Sequence, residues 1–144
     1  MTNWDLRFLD LARFISQWSK DPSTKTGAVI VDDERRIISC GYNGFPRGVL
    51  DHEARLGNRE EKYKIIVHAE RNALLFARES LRGTTLYTYP FLSCSVCAGM
   101  LVQAGVRRHV APRSDNPRWG EQAQLTLQIL AESGVELKLM DYAT

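Results

Sequence analysis

Val67-His68-Ala69-Glu70-Arg71-Asn72-Ala73-Leu74-Leu75 is the stretch from which the rest of this chain can be read. An imidazole and a carboxylate stand two residues apart at the head of a helix-forming run. Downstream, Ser93-Cys94-Ser95-Val96-Cys97 sets two thiols at the head of another. Together the segments hold the inventory of a zinc site with three protein ligands, an open fourth position and a general acid/base beside it. His-x-Glu alone carries almost no information. Paired with Cys-x-x-Cys, each half just ahead of a helix, it is a strong signal.

A helix N-terminus carries partial positive charge and unpaired amide groups. A cysteine there loses its proton readily, and thiolate is the form that binds zinc. The first helical turn of Cys-x-x-Cys presents both sulfurs to one point. His68, Cys94 and Cys97 are therefore the expected metal ligands. Residues i and i+2 do not share a helix face. Glu70 addresses the same point only if His68 sits at the very tip and Glu70 in the first turn, where it serves as a base rather than a ligand. Two other readings use the same residues. A structural zinc site wants a fourth protein ligand, and neither His52 nor His109 has helpful spacing. A thioredoxin-like redox pair leaves His68 and Glu70 without work.

The flanking sequence fits one α/β domain over residues 1–144. Trp4, Phe8, Leu11, Ile15 and Trp18 recur at helical spacing, with Asn3 as N-cap and Pro22 beyond the end, and this stripe is expected to pack into the core. Residues 27–31 read as a buried strand, 32–35 as a turn and 36–42 as the return strand of a hairpin, closed by Asn43-Gly44. Cys40 is expected as a small buried apolar residue. Residues 49–66 read as a mixed-charge connection, with room for a helical turn, that leaves His52 and Glu53 exposed. A helix follows over 68–80, with Leu75, Phe76 and Ala77 among its packing residues, then a strand over 84–89. A helix over 94–104, stopped by Gly105, leads to a strand over 106–111 and a loop over 112–120. The chain closes with a helix over 121–133, its apolar face at Leu125, Ile129 and Leu130, and an alternating strand over 135–140. Strands alternating with helices imply parallel pairing by right-handed crossovers, and helices on both faces of a mixed, roughly five-stranded sheet.

Bulk properties narrow the classes. A chain of 144 residues, 44% hydrophobic and 25% charged, suits one soluble globular domain with a real core. A formal charge of +2 implies no strong field for duplex nucleic acid. No apolar run approaches the ~20 residues of a membrane span, and the first residues lack the pattern of a signal peptide. Three cysteines, one of them isolated, do not make a disulfide framework, which suits a reducing cytoplasm.

These residues resemble the zinc-dependent cytidine-deaminase-like superfamily, whose signature is H-x-E…P-C-x-x-C. Within it the chain is similar to deoxycytidylate (dCMP) deaminases of bacterial or phage type. The similarity extends to Ser23-Thr24-Lys25-Thr26-Gly27-Ala28-Val29-Ile30-Val31, to Ile37-Ile38-Ser39-Cys40-Gly41-Tyr42-Asn43-Gly44-Phe45-Pro46-Arg47-Gly48, and to Gln103-Ala104-Gly105-Val106. The resemblance implies a three-layer α/β/α fold and the hydrolysis of dCMP to dUMP and ammonia. Water activated by zinc would attack C4 while Glu70 protonates N3 and then the departing ammonia. The resemblance also implies that Asn43 contacts the sugar, that Ser23 and Lys25 receive the 5′-phosphate, and that Ala69 lies at the substrate. A hydroxyl and a cation in a polar loop suit that phosphate role. Arg47 would meet phosphate, an effector or a neighbouring subunit. Family members are commonly hexameric and regulated by dCTP and dTTP, so a homo-oligomer of that size is the expected assembly and the two nucleotides are candidate effectors. Two departures stand out. Ser93 replaces the usual proline, although serine is itself a good N-cap. The loop Tyr89-Pro90-Phe91-Leu92 is longer than the usual link. No cysteine lies in 49–66, so the extra structural zinc of some relatives is not expected.

Three other functions compete. A tRNA adenosine deaminase shares His-x-Glu and a Cys-x-x-Cys followed by Ala-Gly, as in Cys97-Ala98-Gly99, but needs a basic groove that the near-neutral charge does not supply. A free-nucleoside cytidine deaminase normally offers cysteine in place of His68 and does not need Lys25. A zinc-stabilised nucleotide sensor has no use for Glu70.

Overall fold

The computed structural model describes residues 2–114 and 120–142. Its elements run α1 (Trp4–Ser16), β1 (Gly27–Val31), β2 (Ile37–Tyr42), α2 (Glu53–Gly57), α3 (Arg59–Ile65), α4 (Ala69–Phe76), β3 (Thr85–Tyr89), α5 (Ser95–Ala104), β4 (Arg108–Pro112), α6 (Gly120–Ser133) and β5 (Glu136–Met140). The strands form one mixed sheet in the order β2-β1-β3-β4-β5. β1 pairs antiparallel with β2 and β3, whereas β3 with β4 and β4 with β5 are parallel. α5 and α6 are the crossovers that parallel pairing demands, and the α/β architecture agrees with the expectation from sequence.

Alternation along β1 divides its side chains between two cores. Val29 and Val31 pack with Phe8, Leu9, Ala12 and Ile15 of α1, and with Tyr87 and Val110. Ala28 and Ile30 lie on the other face with Ala69 and Ala73 of α4, Leu86 of β3 and Leu101 of α5. Covered on both sides, β1 is buried throughout, which is why its sequence is an unbroken apolar run. Two glycines set how closely the helices approach. A Cβ on Gly27 would lie 2.0 Å from the Ala12 carbonyl oxygen, and one on Gly41 would lie 2.6 Å from that of Ala69. The backbones of α1 and α4 therefore rest directly on β1 and β2. Any larger residue at 41 would lift the N-terminus of α4, and the site begins there.

The structure departs from or refines the sequence reading at several points. Trp18 lies beyond α1 and is 55% exposed, edge-on to Phe14 and Tyr42, so the buried stripe of α1 is Phe8, Leu9, Ala12 and Ile15. α4 ends at Phe76, where Ala77 turns extended. Leu75 and Phe76 consequently project outward, Leu75 with 67% of its surface free, because Ala69 and Ala73 form the face laid on the sheet. Residues 49–66 hold two short helices, capped by the His52 and Asn58 side chains on the amides of Arg55 and Glu61. α6 buries Thr126 and Leu130, leaving Leu125 exposed. Pro112 belongs to β4, and residues 115–119 of the expected loop lie outside the described residues. Cys40 is half-buried against the core on the α1 side.

Candidate active site

His68 is the N-cap of α4 and Cys94 the N-cap of α5, both with extended backbones. The His68 side chain makes no capping bond, which leaves its ring to face the other helix tip. Cys94 Sγ accepts from the Cys97 amide at 3.4 Å. His68 Nδ1 lies 3.5 Å from Cys94 Sγ and 3.3 Å from Cys97 Sγ. All three ligand atoms fall within 4.8 Å of one another, the only cluster of this kind among the described residues. A tetrahedral zinc, with bonds of ~2.3 Å to sulfur and ~2.0 Å to nitrogen, separates its ligand atoms by roughly 3.5 Å. The donor set fits that ion.

A hydrogen bond from Cys97, aided by His68, draws the Cys94 thiol well below its ordinary range, and Cys97 is pushed up in turn. The Cys94 sulfur beside it raises the His68 imidazole against the opposing effect of burial. Arg71 Nε adds a donor to Cys97 Sγ at 3.2 Å. This arginine was not among the expected site residues. Its spacing of three from His68, one helical turn on, is the signal that points to it.

A cavity of about 420 Å³ opens beside the cluster. Glu70, in the first turn of α4 and only 7% exposed, lines it together with His68, Ser93 and Cys94. Ile66, Phe91, Leu92 and Leu127 give the wall its apolar part, while Asp21, Ser23, Thr24, Thr26, Asn43 and Lys62 give it a polar one. Lys62 Nζ, 2% exposed as a residue, donates to Asp21 Oδ1 at 3.0 Å and to Ser23 Oγ at 3.1 Å. Asn43 fastens the same loop: its Oδ1 accepts from the Thr26 amide, and its Nδ2 donates to Thr24 O and Asp21 Oδ2.

The remaining expected residues stand elsewhere. Lys25 is exposed and is not part of the cavity wall, where the cation is Lys62. Arg47 is exposed, its guanidinium 5.7 Å from the Phe76 ring centroid, and is likewise absent from the wall. Ala69 is buried in the core between α4 and the sheet.

Residues 2–112 match the family described as the cytidine and deoxycytidylate deaminase zinc-binding region. The chain belongs to this deaminase family. Among its relatives is an uncharacterized deaminase of Aliivibrio fischeri, 39% identical over 140 residues, covering 95% of this chain and 93% of that protein. Human deoxycytidylate deaminase is 32% identical over 141 residues, covering 94% of this chain and 78% of the human one. A crystal structure of the dCMP deaminase of cyanophage S-TIM5, in complex with dCMP and dUMP, superposes with a TM-score of 0.78 at 26% identity. That match covers 97% of this chain and 99% of the phage chain.

Proposed function

We propose that this deaminase hydrolyses dCMP to dUMP and ammonia, that it depends on zinc, and that residues 1–144 form a single catalytic domain. The observation that carries the reading is the meeting of His68, Cys94 and Cys97 beside a cavity whose wall includes the buried carboxylate of Glu70. The dCMP and dUMP bound by the phage relative support the choice of substrate.

His68, Cys94 and Cys97 would hold the ion, which supplies Lewis acidity that makes water nucleophilic near neutral pH. Glu70 takes a proton from the attacking water and places it on N3 of cytosine, drawing electrons from C4. It then carries the second water proton to the exocyclic amine, which leaves as ammonia while the C4 carbonyl of uracil forms. One carboxylate thus acts as base and then as acid. The apolar wall accommodates the flat pyrimidine and keeps bulk water from the reacting carbon. Lys62 spends two of its three ammonium donors on Asp21 and Ser23. Its third, with the Ser23 and Thr24 hydroxyls, is available to the 5′-phosphate, a role first expected of Lys25. Asn43 donates both amide hydrogens to the protein and keeps one lone pair on Oδ1 for a sugar hydroxyl. Arg47 is assigned to a subunit contact or effector, and Ala69 to spacing α4 from the sheet. Assembly as a homo-hexamer, regulation by dCTP and dTTP, and a cytoplasmic location are carried over from the family.

The test is metal analysis of purified protein followed by ammonia release from dCMP, CMP, dCTP, deoxycytidine and a tRNA hairpin. We expect about one zinc per chain and turnover of dCMP above the others. Turnover of the hairpin alone would replace the substrate, and a metal-free active protein would remove the mechanism.

A further inference from the structure

The Cys94 tip departs from the family signature at Ser93, and the structure supports the chain there in a way the signature does not require. Ser93 is only 2% exposed. Its backbone N–H, which a proline would lack, donates to Nε2 of His109 at 3.3 Å. Its carbonyl accepts from Thr126 Oγ1 at 2.9 Å. His109, on β4, and Thr126, on α6, are both fully buried. The other ring nitrogen, Nδ1, faces the Leu86 carbonyl at 3.3 Å. A carbonyl can only accept, so Nδ1 carries the ring proton and Nε2 is left as the acceptor that Ser93 needs. Burial pushes the imidazole down to about 4, which keeps the ring neutral near pH 7.

We propose that His109 is a positioning residue for the metal centre: by accepting the Ser93 N–H it holds, with Thr126, the peptide that proline secures covalently in the family signature. The proposal rests on reading His68, Cys94 and Cys97 as the zinc ligands. A buried N–H without a partner is costly, so serine at 93 and an acceptor at 109 form a coupled pair. Proline at 93 makes the acceptor dispensable. It also sacrifices no side-chain hydrogen bond, because the Ser93 hydroxyl has no partner among the described residues.

The coupling is measured by zinc release to a colorimetric chelator from the holoenzyme and four variants. His109→Asn keeps a polar atom near Leu86 but falls short of Ser93, whereas His109→Gln carries an amide oxygen out to where Nε2 stands. We expect His109→Asn to release zinc about 10- to 100-fold faster than wild type, the range usual for groups that support metal ligands, and His109→Gln to restore slow release. In the Ser93→Pro background, adding His109→Asn should leave the rate unchanged. An equal acceleration in both backgrounds, or none in either, would overturn the proposal. Should His109→Asn fail to fold alone yet fold with Ser93→Pro, the coupling is shown in its strongest form, and failure in both backgrounds overturns it. A wild type without zinc removes the site reading and this proposal with it, an outcome distinct from variants that all release at one rate.

Discussion

Asp5, at the start of α1, accepts from the Tyr87 hydroxyl at 2.6 Å, from two Arg108 nitrogens at 2.8 and 2.7 Å, and from Lys138 Nζ at 2.9 Å. Asp21, on the loop beyond the same helix, accepts from the amides of Ser23 and Thr24, from Lys62 Nζ and from Asn43 Nδ2. Both carboxylates are filled. The difference lies in their partners. Arg108 turns both terminal nitrogens onto Asp5 and its Nε toward Glu136, so that cluster ties α1 to β3, β4 and β5, and none of its members lines the cavity. Lys62 and Asn43 keep hydrogen-bonding capacity in the wall of a cavity. His68, Cys94 and Cys97 carry the contrast furthest, since three lone-pair atoms converge within 4.8 Å of one another beside the cavity. A polar cluster closed off from the cavity holds the fold. One that faces the cavity with capacity left over can hold a ligand.

Mutations at the open clusters should alter chemistry, and mutations at the closed one should alter stability. The largest effect belongs to Glu70→Gln, which removes the proton carrier and should lower turnover of dCMP by about 10²- to 10⁴-fold. Zinc content should be unchanged, because the carboxylate is not a ligand. Full activity in this variant would end the mechanism. Next comes Lys62→Met. Loss of a charged hydrogen-bond donor to phosphate should raise the KM for dCMP about 10- to 100-fold, with far less change for deoxycytidine. The same variant leaves Asp21 buried without its cation and should melt earlier. Lys25→Met is the matched control, expected to leave KM near that of wild type. A larger KM effect at Lys25 than at Lys62 would return the phosphate role to the exposed lysine.

Some of these contrasts are visible in sequence and others are not, for a physical reason. Helix tips are local, so the N-cap positions of His68 and Cys94 follow from short-range spacing and the structure places both where that spacing puts them. The hairpin, the crossovers and the mixed sheet follow from periodicity of comparable range. Lys62 was invisible because its partner Asp21 lies 41 residues away, in a stretch whose charges give no period. The apolar face of α6 misled for a related reason. Hydrophobicity favours Leu125, but the residue that the interior needs there is Thr126, whose hydroxyl meets the Ser93 carbonyl. Trp18 extended the apolar pattern past the end of α1, and Leu75 lies within α4 on the side turned away from the sheet.

The smallest effect is expected at the closed cluster, and it should depend on pH. Hydrogen bonds from Arg108, helped by Tyr87 and Lys138 and opposed by burial, hold the Asp5 carboxyl well below its ordinary value of 3.8. The unfolded chain therefore binds a proton here at a higher pH than the folded chain does. The stability this group contributes is fully present above about pH 4 and is lost as pH falls toward the depressed folded value. Asp5→Asn should lower stability at neutral pH by about 1–3 kcal/mol, the worth of hydrogen bonds to a charged group, while kcat/KM for dCMP stays unchanged. On acidification the gap should narrow, because wild type loses by protonation what the variant already lacks. Urea denaturation of both proteins from neutral pH down into the acid range measures that gap directly. If the gap stayed constant, the ion cluster would be contributing nothing as ions, and the division between a closed cluster that stabilises and open ones that bind would fail at its closed end.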